Sequence, residues 1–185
     1  TTILEAMTEG YEIEITYQKY TSSQASSYTL RPYAVKEFAK RWYVIGYCLE
    51  RDAVRVYGLD RVMGIDLTSN TFRMPSGFDV DELFATSFGI YLPEGKARTI
   101  TFRTSESEAR FLRDLPLHRS QEEIKREDEM VTFSIFVCTK DSSGNFYNDL
   151  IMEFCKYGSR LEVIAPADIR NAVAEELAKA SSLYK

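Results

Sequence analysis

The sequence predicts an α+β chain, a small all-β barrel followed by a ferredoxin-like α+β domain. Two observations carry that prediction. From Tyr11 to Leu67, short strand-like runs recur at close spacing with turn signals between them, the pattern of a small barrel. From Arg98 to Ile164 the order changes to strand-helix-strand-strand-helix-strand, which is the ferredoxin-like plan.

Thr2 to Glu9 reads as a short helix or helix end, with Gly10 as its stop. Tyr11-Glu12-Ile13-Glu14-Ile15-Thr16-Tyr17 alternates cleanly, which places Tyr11, Ile13, Ile15 and Tyr17 on one face and Glu12, Glu14 and Thr16 on the polar one. The polar stretch Thr21 to Ser27 is a loop. A strand from Tyr28 to Phe38 contains Pro32, which marks an edge, a bulge or a bend. Ala39-Lys40 is a hairpin turn into Arg41–Tyr47, and Glu50-Arg51-Asp52 is the next turn. Residues 53–57 and Arg61 to Leu67 complete the strands, and Phe72 to Gly77 ends this region.

A short helical pattern, Asp79 to Phe88, leads to the linker Leu92-Pro93-Glu94-Gly95. Arg98–Arg103 is a strand, and Ser105 with Glu108 has the spacing of a capping box opening a helix to Leu115. Strands at Gln121–Arg126 and Met130–Thr139 flank the acidic turn Glu127-Asp128-Glu129. A helix from Asn145 to Lys156, stopped by Gly158, and a strand from Arg160 to Ile164 follow. Pro166 then opens a closing amphipathic helix to Leu183. The domains predicted are 1–75, the barrel, and 98–185, the ferredoxin-like domain, with 76–97 as a linker carrying a short helix.

With 185 residues, 44% of them hydrophobic, the chain suits one domain or two small ones. No apolar run approaches the roughly 18 residues of a spanning helix, and no signal peptide is visible, so a cytoplasmic protein without membrane contact is expected. Because it opens on Thr1, the chain is expected to be a fragment or a processed product. Cys48, Cys138 and Cys155 are widely spaced, which is neither a disulfide framework nor a zinc pattern. They are expected as small buried hydrophobes.

The formal net charge is -5, yet Thr29 to Arg73 holds eight basic residues against five acidic ones. A basic patch on an acidic protein suits a bounded anionic ligand better than a long polyanion. Enzyme chemistry has little support. The one histidine, His118, lies in a loop with no nucleophile or orienting group beside it in sequence and is expected at the surface. Phosphate loops, nucleophile elbows and metal-ligand clusters are missing from the sequence. No catalytic residue, metal or cofactor is expected.

Eight of the twelve tyrosines lie in the first sixty residues, interleaved with arginines. Aromatic faces and guanidinium forks together can stack bases and clamp phosphates. Alternation puts Tyr43, Ile45 and Tyr47 on one face of their strand, and Arg55 with Tyr57 on one face of the next. Trp42, Val44 and Gly46 fall on the opposite face of the first strand and Val54 and Val56 on that of the second, and one tyrosine–arginine face with one aliphatic face is the alternation expected of a site on a barrel. The bland alternative is that tyrosines fill a small barrel with hydroxyls at its rim, solvated by the arginines. On composition alone the bland alternative stands slightly ahead.

Arg31-Pro32-Tyr33, Arg41-Trp42-Tyr43-Val44-Ile45-Gly46-Tyr47 and Arg55-Val56-Tyr57-Gly58-Leu59-Asp60-Arg61-Val62 resemble the WYL domain family, with Val44 in place of the usual leucine and Tyr57 in place of the usual phenylalanine. The second half, with Ile164-Ala165-Pro166-Ala167-Asp168-Ile169-Arg170, is similar to the C-terminal extension that follows WYL domains in many bacterial regulators. The resemblance implies an Sm-like/SH3-like β-barrel followed by a ferredoxin-like domain. It also implies the sensing region of a bacterial transcriptional regulator, a homodimer whose operator DNA is read by a separate N-terminal domain. The effector implied is a nucleic acid, single-stranded DNA or RNA, or a nucleotide-like anion. Its contacts by resemblance are Tyr17, Arg31, Tyr43, Arg55 and Arg61, while Trp42, on the aliphatic face of its strand, is expected in the core. A structural or dimerisation module with no small-ligand site is the alternative.

Overall fold

Two antiparallel sheets and five α-helices make up the chain in the computed structural model, which describes residues 2–185. The chain divides into a first unit, Thr1–Glu82, and a second, Leu83–Lys185.

In the first unit, helix α1 (Thr2–Glu9) ends at Gly10, whose φ of +73° suits glycine. Five strands follow: β1 (Tyr11–Tyr17), β2 (Ser26–Phe38), β3 (Arg41–Cys48), β4 (Ala53–Gly58) and β5 (Val62–Thr71). Their order in the sheet is β4-β3-β2-β1-β5. Among the described residues no strand pairing joins β4 to β5, so the sheet keeps two edges where a closed barrel would have none. Single 3-10 turns, Leu49–Arg51 and Leu59–Arg61, carry the chain into and out of β4.

Pro32 lies in the central strand β2, a position that costs a ladder hydrogen bond. The pairing of β2 with β3 is irregular between Pro32 and Ala34, and Pro32 faces Gly46 across it. A Cβ on Gly46 would sit 2.5 Å from the Arg31 carbonyl oxygen, so the close approach of the two backbones requires glycine there. Ala39 and Lys40 both take positive φ, which makes the expected tight hairpin.

The core of this unit gathers Ile3 and Ala6 of α1 with Ile13, Ile15 and Tyr17 of β1, Tyr28 and Leu30 of β2, Val44 and Cys48 of β3, and Tyr57 of β4. Two expectations fail here. Trp42, expected in the core, is 53% exposed, because the buried part of β3 begins beyond it at Tyr43 and Val44. Glu12, expected on a solvated face, is 3% exposed. It accepts a hydrogen bond from Arg31 Nε at 2.8 Å, and the half-exposed arginine closes that face over the carboxylate.

In the second unit the expected helix at 79–88 is reduced to one turn, α2 (Val80–Leu83), which begins in the first unit and is capped by the Asp79 carboxylate accepting from the amides of Asp81 and Glu82. Then come β6 (Ala97–Ser105), α3 (Glu106–Asp114), β7 (Glu122–Glu127), β8 (Met130–Cys138), α4 (Asn148–Lys156), β9 (Leu161–Ala165) and α5 (Ala167–Ser182). The sheet order is β7-β8-β6-β9, all antiparallel. Ser105 caps α3 by accepting from the Glu108 amide, but the Glu108 carboxylate turns to Arg160 instead of reaching back to close a capping box. Phe102 stacks on Phe133 at 5.8 Å and meets Phe154 edge-on at 5.5 Å. These three fully buried rings anchor the sheet to α4, and truncating one to alanine costs about 3–5 kcal/mol.

His118 is half-buried, not at the surface: its Nδ1 lies 2.7 Å from the Ser120 hydroxyl and its ring stacks on Phe88. Burial holds its pKa below the usual imidazole range. Cys48 and Cys138 are buried and Cys155 is partly so.

Candidate functional site

The register between β3 and β4 decides which side chains can meet. Tyr43 pairs with Gly58, Val44 with Tyr57, and Gly46 with Arg55. Directly opposed residues of an antiparallel ladder point to the same face. Arg55 and Tyr57 therefore share the face of Gly46 and Val44, and Tyr43 lies on the other. The two faces that alternation identified separately do not coincide.

What gathers around Arg55 and Tyr57 comes from other elements. A cavity of about 560 Å³ is lined by Tyr17, Lys19, Tyr20, Thr21, Tyr28, Arg51, Arg55, Val56, Tyr57 and Arg61. Of the five residues expected from the sequence, Tyr17, Arg55 and Arg61 line it. Arg31 does not: it is held by Glu12 and lies over the Tyr47 ring at 5.6 Å. Tyr43 does not either, being 9% exposed on the opposite face.

The tyrosines form the floor and one wall. Tyr57 meets Tyr17 edge-on at 5.0 Å and Tyr28 at 5.4 Å, and its hydroxyl donates to Cys48 Sγ at 3.2 Å. Burial raises the pKa of Tyr17, and burial with the Cys48 contact raises that of Tyr57 much further, so both stay neutral. Arg51 donates to the Tyr28 hydroxyl at 3.3 Å, and this bond lowers the Tyr28 pKa.

Arg61 makes the other wall. Its guanidinium carbon lies 5.2 Å from the centre of the Tyr17 ring and 4.9 Å from that of Tyr20, within cation–π range of both. Its Nε is buried without a hydrogen-bond partner, 3.8 Å from Asp60 Oδ1. Asp60 in turn accepts from the Tyr20 hydroxyl at 2.7 Å and from Arg41 at 3.3 Å. The Tyr20 bond, with Arg41 and Arg61 nearby, lowers the Asp60 pKa. Gly58 makes room for this arrangement, since a Cβ there would lie 2.7 Å from both Arg61 Nη2 and Asp60 Oδ1.

Sequence reasoning missed Lys19, Tyr20, Tyr28, Arg51 and Tyr57 as members of the site. Arg51, Tyr28 and Tyr57 belong to the tyrosine–arginine interleaving already visible in the sequence. Tyr20 also belongs to that interleaving, whereas Lys19, in the loop after β1, carries no such signal. The cavity thus presents four cations and four tyrosines and no carboxylate. Guanidinium forks and an ammonium can hold phosphate oxygens while the rings stack flat groups.

Fold and cavity together define an α+β protein of two antiparallel sheets with an anion-suited cavity in its first unit. Residues 1–67 match the family model of the WYL domain, and this stretch of the chain is a WYL domain. The chain is 27% identical over 183 residues to Protein PafB of Mycobacterium tuberculosis, an alignment covering 95% of this chain and 50% of PafB. It is 37% identical over 60 residues to CapW of Pseudomonas aeruginosa, a DNA-binding transcriptional repressor, over 32% of this chain and 20% of CapW. A crystal structure of a CRISPR Cas-related protein shares the fold at a TM-score of 0.58 and 13% identity, over 98% of this chain and 51% of that one. The chain spans about half the length of the PafB relatives it matches. No helix among the described residues is long and apolar enough to cross a membrane.

Proposed function

We propose that this chain is the effector-sensing region of a bacterial transcriptional regulator, acting by binding rather than catalysis. The WYL domain and the similarity to the repressor CapW support the regulatory part of the reading. One observation carries the ligand part: Lys19, Arg51, Arg55 and Arg61 line a single cavity with four tyrosines and no acidic residue. The ligand is an anionic nucleic acid or nucleotide, its phosphate held by the cations and its base stacked on the rings. The first sheet is read as an open Sm-like barrel with this ligand between β4 and the β1–β2 loop, and the second unit as a ferredoxin-like extension. Residues 1–75, 76–97 and 98–185 are the domains and linker of this scheme. Binding favours one arrangement of a homodimer, and that preference passes to a DNA-binding domain elsewhere in the full regulator.

Fluorescence anisotropy of labelled single-stranded DNA and RNA, at two salt concentrations, tests the reading. Affinity should fall steeply with salt, and the Arg55→Ala/Arg61→Ala double variant should lose it. Binding that is indifferent to both salt and the double substitution sinks the proposed site.

A further inference from the structure

The cations of this site come from different parts of the chain but line one bounded cavity. Lys19 follows β1, Arg51 lies in the turn before β4, Arg55 on β4 and Arg61 in the turn after it, and all four line the one cavity. Lys19, Arg51 and Arg55 make no ion pair among the described residues. A second cavity of about 340 Å³ adjoins it, sharing Lys19, Tyr20 and Arg61 and adding Gln18, Asp60 and Met63. The carboxylate of Asp60 makes this neighbour a poor seat for a second phosphate, while Gln18, whose Nε2 donates to the Ser22 and Ser23 carbonyls, offers its amide oxygen as an acceptor.

An internal phosphodiester carries one negative charge, and the next one along a strand would need cations of its own. A phosphate monoester carries about −1.5 to −2 at pH 7 and presents three acceptor oxygens, which is the better match to clustered guanidinium and ammonium groups. We infer, resting on the function proposed above, that the cavity takes a terminal phosphate monoester of a nucleotide or of a single strand. The base lies against the Tyr17–Arg61–Tyr20 stack, and the second cavity receives the uncharged sugar or base edge. The recognised feature is the end of a nucleotide chain, not its length.

The test uses the whole chain and an oligothymidylate of about ten nucleotides, a length within the usual single-strand site sizes. It is labelled at its 3′ end and compared with a 5′-phosphate and with a 5′-hydroxyl. The phosphorylated strand is expected to bind at least about tenfold more tightly, a difference of about 1.4 kcal/mol. That preference should shrink as pH falls through about 6, where the monoester takes up a proton. Arg51→Gln/Arg55→Gln should equalise the two strands. Competition by thymidine 5′-monophosphate at comparable concentration identifies a free nucleotide as ligand; competition only by the phosphorylated strand identifies a strand end. Equal, salt-sensitive binding of both strands overturns the terminal-phosphate inference and leaves the proposed function standing. No salt-sensitive binding of either strand, and none of the monophosphate, overturns both.

Discussion

The guanidinium of Arg61 is held between two tyrosine rings, 5.2 Å from the centre of Tyr17 and 4.9 Å from that of Tyr20. This fixes a charged plane at the edge of the cavity before any ligand arrives. An ammonium keeps the charge but has no plane to stack and no fork. Arg61→Lys is therefore expected to weaken binding of labelled single-stranded DNA about tenfold, with the thermal midpoint little changed. Unchanged affinity in anisotropy titrations would show that charge alone is needed there.

Glu12 and Arg31 are an asymmetric pair, the carboxylate almost fully buried and the arginine 39% exposed in its side chain. Removing the arginine strands a buried charge, whereas removing the glutamate leaves an arginine that water can reach. Arg31→Ala is expected to cost about 2–3 kcal/mol, below the range for fully enclosed pairs because solvent already screens this one. Glu12→Gln should cost less than Arg31→Ala, and the double variant less than the sum. Urea denaturation of the four proteins completes the cycle, and simple additivity is the result that contradicts it.

Much of this architecture was legible in the sequence, and the losses have a common cause. The capping serine Ser105 and the order of elements in the second unit are local signals that match the structure, whereas the alternation of β1 holds only from Ile13 onward, Tyr11 being exposed and Glu12 buried. Register is not local. The period of a strand is two, so one residue of offset between β3 and β4 sends Tyr43 to the face opposite Arg55. The burial of Glu12 depends on Arg31 arriving from β2, and Lys19 and Tyr20 reach the cavity from a loop with no periodic pattern. Trp42 shares the face of Val44 and Gly46, which alternation marks as the aliphatic one, but nothing within β3 marks where the covered part of the strand begins.

Gly46 supports the irregular pairing at Pro32. Its missing Cβ would stand 2.5 Å from the Arg31 carbonyl oxygen and 3.2 Å from Pro32 Cα, both backbone atoms that cannot swing aside. Gly46→Ala must push β2 and β3 apart, and a cost of about 1–3 kcal/mol is expected. The urea midpoint should drop with the slope of the transition unchanged. Full stability would mean that the two strands separate at no cost.

The tyrosines of the site set its behaviour in alkali. Burial raises the Tyr17 pKa, and burial with the Cys48 contact raises that of Tyr57, while the Arg51 hydrogen bond lowers that of Tyr28. Tyrosines of the unfolded chain ionise near about pH 10. Tyr17 and Tyr57 bind their protons more tightly when folded, so their contribution is fully present below that pH and is lost as pH rises beyond it. Tyr28 acts in the opposite sense, adding stability as pH rises from its lowered pKa to the unfolded value. Stability should fall above about pH 10, and Tyr57→Phe should flatten the fall. Ultraviolet difference titration should show Tyr28 ionising before Tyr17 and Tyr57.

Gly58 separates the placing of Arg61 from the folding of the sheet. Its φ of −70° and ψ of 125° are open to any residue, so alanine there meets no backbone strain. What alanine does meet is Arg61 Nη2 and Asp60 Oδ1, each 2.7 Å from the new Cβ. Both are ends of side chains, and both can move. Gly58→Ala is thus expected to leave the unfolding free energy from urea denaturation within about 0.5 kcal/mol of the parent while displacing Arg61 from the Tyr17–Tyr20 stack. Binding of the single-stranded probe should weaken several-fold, and tyrosine fluorescence should change as the cation leaves the rings. Loss of affinity together with a large drop in stability would instead assign Gly58 to the fold.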